Sequence, residues 1–181
     1  MTHNIGNGVA DILLGHQQDE DKHDRQLEIL ALYWQAKPRP EADELVSRWE
    51  RDPSDPLCKK LVLEAMVFFQ ILAVLPDLVP GDAFTQAVRQ WILFDESAHV
   101  ASARVLVKEA GMRIHHDLVN LAMDTIEWML GDLPPEQVAR YKTIARQVVK
   151  TGRSDLVNDM SVVSHQDFFT QRDNRSIVYA S

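Results

Sequence analysis

Glu96 and His99 stand three residues apart inside the otherwise apolar run Trp91-Ile92-Leu93-Phe94-Asp95-Glu96-Ser97-Ala98-His99-Val100. A spacing of three puts both side chains on one face of a helix. That face continues through Ile92, Ala103, Leu106, Val107 and Ala110, so it is the apolar one. Thirty-two residues upstream, Glu64 interrupts a second apolar stripe formed by Leu61, Val67, Phe68, Ile71 and Leu75. An ionised carboxylate in such a stripe is costly unless it is paired, hydrogen-bonded or bound to metal. Two carboxylates and an imidazole facing a helical interior form a donor set for iron or manganese. The residues leave two other compensations open. Glu64 can pair with a buried arginine such as Arg89 or Arg104, and His99 can be a core histidine bonded to a backbone carbonyl.

The elements that must position these groups read as helices. Periodicity predicts helices over about 19–34, 41–50, 57–75, 83–110, 113–130 and 132–150, with a last one from Ser154 to about Phe169. Asp82 is a good N-cap for the Glu96/His99 helix, and Gly111 suits its C′ position. Gly131 ends the next helix, and Pro134 and Pro135 fit the first turn of the one after it. Connections after residue 50 are short, which makes neighbouring helices antiparallel. The expected fold is therefore all-α, an antiparallel bundle of about six to seven helices. Residues 1–17 read as a flexible arm, 18–170 as a single helical domain, and 171–181 as an irregular tail.

Composition narrows the function. Of the 181 residues 45% are hydrophobic and 25% charged, ordinary for a soluble globular chain. A formal charge of −8 argues against general nucleic-acid binding. Cys58 has no second thiol to pair with, and no apolar run approaches the roughly 18 residues of a membrane span. The start lacks a basic segment followed by a long apolar stretch, so a cytoplasmic protein is expected. No G-x-S-x-G, P-loop or G-x-G-x-x-G occurs. Lys142, Arg146, Lys150 and Arg153 make a basic stripe that reads as a solvated face. Trp34, Trp49, Trp91, Trp128, Phe68, Phe69 and Phe94 read as core fillers, and His115 and His116 as exposed.

E-x-x-H occurs twice, at Glu20/His23 and Glu96/His99, where chance gives roughly 0.4 occurrences. Glu64 followed by Asp95-Glu96-Ser97-Ala98-His99 resembles half of the ferritin-like di-iron carboxylate pattern, shared by ribonucleotide reductase small subunits and helical di-iron oxygenases. The match covers about 45 residues. It implies a ferritin-like bundle holding two iron or manganese ions, with Glu64 a terminal or bridging ligand, Glu96 bridging and His99 the terminal imidazole. That family next supplies one glutamate and another E-x-x-H, and none follows residue 99 here.

Three completions stay open. Glu127 can be the third carboxylate, with Asp159 and His165 beyond it; Glu20 and His23 can supply the missing pair; or a two-fold homodimer can duplicate the half-site. The expected activity is dioxygen activation as an oxidase or oxygenase, through Glu64, Glu96, His99 and Glu127. The alternatives are a metal-free helical accessory subunit docking on a protein partner, and a protein that stores or chaperones iron.

Overall fold

The computed structural model describes residues 3–151. Every regular element among them is helical: α1 (His3–Tyr33), α2 (Glu41–Arg51), α3 (Pro56–Val62), a π-helical turn (Leu63–Phe68), α4 (Phe69–Leu78), α5 (Ala83–Glu109), α6 (His116–Leu130) and α7 (Pro135–Thr151). The all-α expectation therefore holds. The expected helix from Ser154, the tail and Arg153 lie outside the described residues. The chain divides into two compact units, residues 1–39 and 40–181.

The first unit is α1 and the turn after it. The helix begins at His3, so residues 3–17, expected as an arm, are helical in spite of Gly6 and Gly8. It closes with Trp34 N–H donating to Leu30 O at 3.0 Å and Ala36 N–H to Ala31 O at 2.8 Å, around Gln35 at φ 52°. Trp34, expected in the core, is exposed and meets Tyr33 edge-on, with ring centroids 5.2 Å apart.

In the second unit, α3, the π turn and α4 run consecutively, and the π turn packs against α5, α6 and α7. Val62, Ala65, Met66, Phe69 and Gln70 are wholly buried there, which makes this run the centre of the core. A π turn holds one residue more than an α turn and rotates everything after it backwards. The expected stripe shifts accordingly. Leu61, Glu64 and Val67 are buried as the periodicity predicts, but beyond the turn Leu72, Ala73 and Val74 are buried while Ile71 and Leu75 are only half-buried.

The neighbouring helices stop and start where their chemistry requires. Asp82 caps α5, its carboxylate accepting from Thr85 N–H at 2.7 Å. Gly111 follows the helix at φ +65°, a left-handed conformation that an L side chain adopts only with strain. Trp49 ties α2 to α6, its indole N–H donating to Thr125 Oγ1 at 3.0 Å. No described helix is long and apolar enough to cross a membrane.

Candidate metal centre

Glu64 is the second residue of the π turn, and Glu96 and His99 sit near the middle of α5, which packs against that turn. The buried faces of two adjacent elements thus meet where both carry charge. The Glu64 side chain is 3% exposed, and those of Glu96 and His99 are each 1% exposed. His99 Nδ1 lies 3.7 Å from Glu64 Oε1 and 3.8 Å from Glu96 Oε2. One ligand atom from each of the three lies within 4.8 Å of the others. Atoms 3.7–3.8 Å apart, as His99 Nδ1 is from each carboxylate, subtend roughly 125° at a common ion about 2.1 Å from both, within the range of four- to six-coordinate sites after small side-chain rotations. Glu64 Oε2 is buried with no hydrogen-bond partner among the described residues, an arrangement that native interiors seldom tolerate without a ligand or strain. Two carboxylates and an imidazole, buried and convergent, are compatible with a carboxylate–imidazole metal site.

Burial dominates the electrostatics. It pushes the Glu64 carboxyl up to about 7, with Glu96 pushing the same way, while the hydrogen bond and charge of Lys60 and the nearby His99 pull it down. The cation on Glu64 is Lys60, one turn earlier on α3, whose Nζ contacts Oε1. Neither expected arginine takes that role. Arg89 is wholly buried, and its Nε donates to Leu72 O at 2.5 Å. Burial also drives its pKa below the ordinary guanidinium value, and the nearby Tyr141 raises it. Arg104 reaches the end of α7, where its Nη1 donates to Val149 O at 2.9 Å.

Glu127 stands apart from the trio. It is exposed on α6, where Lys142 Nζ of α7 donates to its Oε2 at 2.6 Å. Lys142 thereby leaves the solvated basic stripe for an ion pair, whereas Arg146 and Lys150 are exposed as expected. Glu20 and His23 sit on α1, His23 Nδ1 3.7 Å from Glu20 Oε2. Asp159 and His165 lie outside the described residues. Phe69 is fully buried, and Phe68, Trp91 and Phe94 are half-buried. His115 and His116 are exposed, as the sequence suggests.

The sequence reading missed Lys60. The signal was available, because positions i and i+4 face each other on a helix, and lysine stands four residues before the buried glutamate. Comparison with protein-family models, with curated proteins and with solved structures finds no match to this chain.

Proposed function

We propose that this is a di-metal carboxylate protein holding iron or manganese at Glu64, Glu96 and His99, and that it activates dioxygen as an oxidase or oxygenase. The observation that carries this reading is the convergence of three inward-facing donors within 4.8 Å, one of them a carboxylate whose second oxygen is buried without a hydrogen-bond partner among the described residues. Iron or manganese bound there supplies one-electron chemistry with oxygen, and the rest falls to the chain. Glu64 and Glu96 would hold the ions and offset their charge. His99 would supply an imidazole nitrogen, the ring held in place by its burial in the core. In this reading Phe68, Phe69, Trp91 and Phe94 would line the site and limit water there. The ferritin-like resemblance agrees with the all-helical fold and remains a half-site match.

One observation favours a second reading. Lys60 already compensates Glu64, as expected of a metal-free accessory subunit whose buried charges are structural. Metal analysis separates the two. Protein produced with iron or manganese is expected to carry about two ions per complete site, with Glu96→Ala and His99→Ala losing them while circular dichroism stays helical. Absence of metal, or loading that survives both substitutions, refutes the metal reading. The three completions the sequence leaves open predict different losses. A fall in stoichiometry from two ions to one in Glu20→Ala or His23→Ala marks the N-terminal pair, the same fall in Glu127→Ala marks that glutamate, and a loaded dimer by mass in solution marks the two-fold route.

A further inference from the structure

We propose that the Lys60 ammonium is the built-in competitor of the metal: it holds Glu64 Oε1 in the metal-free protein and yields that oxygen to an ion by turning out to solvent. The inference rests on the metal reading above and adds the residue that sets how readily the site loads.

Three observations support it. First, the contact is to Oε1, the same oxygen that lies 3.7 Å from His99 Nδ1. Lys60 therefore occupies the Glu64 oxygen that faces the imidazole, the one a shared ion would take. Second, the Lys60 side chain is 25% exposed against 3% for Glu64. A lysine head on a flexible four-carbon stem can turn from such a position to solvent by rotamer changes alone, with no helix displaced. Third, the trio carries two carboxylates in a buried setting, where an uncompensated charge is strongly destabilising. In the absence of metal a cation beside Glu64 favours its ionised form, and once a divalent ion arrives the ammonium becomes a like charge beside it.

Lys59 makes the contrast. Its Nζ donates to Trp49 O at 2.9 Å and Glu50 O at 3.3 Å, which ties down the end of α2. Two adjacent lysines thus have separate tasks, one turned to a helix terminus and one to the buried carboxylate. An arginine at position 60 would suit the exchange less well, because its planar fork binds a carboxylate through two parallel hydrogen bonds and gives it up less easily.

Manganese alone is the probe. Mn2+ binding to the full chain is measured by the loss of its free electron-paramagnetic signal for wild type, Lys60→Met and Lys59→Met. Reductive methylation of each lysine in wild type is read by mass spectrometry with and without the ion. Lys60→Met is expected to bind Mn2+ about tenfold tighter than wild type, the change for one charge-assisted hydrogen bond that no longer has to be broken. Lys59→Met is expected to match wild type. Methylation of Lys60 should rise on Mn2+ addition while that of Lys59 stays constant, a readout that does not depend on the variant folding. Equal or weaker binding by a folded Lys60→Met, or Lys60 methylation that is flat or falls on loading, overturns the inference and leaves the metal reading standing. Wild type that binds no Mn2+ overturns both.

Discussion

Glu64 and Glu127 are both helical glutamates with a lysine against them, yet the two pairs lie in opposite environments. Lys60 and Glu64 meet on consecutive turns at the centre of the core, with the carboxylate 3% exposed. Lys142 and Glu127 meet across α6 and α7, with the carboxylate 65% exposed. Water can solvate Glu127 whether or not Lys142 is there, so that pair adds little. Glu64 has no such recourse, and its carboxyl is pushed up to about 7. The difference teaches that charge type and a nearby lysine do not mark a site. What matters is whether the surroundings leave the carboxylate needing a cation.

The largest contrast is expected in metal affinity. Glu64→Ala should weaken Mn2+ binding by more than about 100-fold, beyond the loss usual for a residue one step removed from the ion, whereas Glu127→Ala should bind like wild type by isothermal titration. A large loss in Glu127→Ala would show that the exposed glutamate moves inward on loading.

Next comes pH. The Glu64 carboxyl sits at about 7 in the folded chain against an ordinary 4.5, so between those values the folded state binds more protons than the unfolded one. Stability of the metal-free protein should therefore fall as pH rises through this window, by about 3 kcal/mol in all, and level off above about 7. Urea melts from pH 4.5 to 8 check this. Glu64→Gln should flatten the profile and Glu127→Gln should leave it intact. A profile for Glu64→Gln that still falls would assign the titration to another group.

Smaller effects attend the lysines. Lys60→Met in metal-free protein at pH 8 should cost about 2 kcal/mol, because it leaves a buried carboxylate without its cation. Lys142→Met should change stability by less than about 0.5 kcal/mol, and 1 M salt should erase even that. If the two substitutions cost the same, burial is not what separates the pairs.

The sequence made some of this legible and hid the rest for physical reasons. The Asp82 cap and Gly111 were readable because each satisfies a local rule of helix ends, and α5 spans Ala83–Glu109 where about 83–110 was expected. The inward turn of Glu64, Glu96 and His99 followed from the stripes they interrupt. The exposure of Glu127 was readable from its neighbours: Leu118, Leu121, Ala122, Thr125 and Ile126 define the buried face of α6, and position 127 falls about 100° further round. The π turn left no local mark, since it depends on tertiary packing, and its extra residue moved the buried face from Ile71 and Leu75 to Leu72 and its neighbours. Lys60 was hidden among several possible cations: the sequence offers Arg89 and Arg104 as long-range partners for a buried carboxylate, and the compensating cation is one turn away.

Anomalous diffraction from a crystal soaked in Mn2+ tests the metal centre most directly. A peak among Glu64 Oε1, Glu96 Oε2 and His99 Nδ1, at about 2.1 Å from each, with the Lys60 ammonium withdrawn from Glu64, is the predicted result. The contradicting result is no peak at these three side chains and Lys60 still seated on the carboxylate.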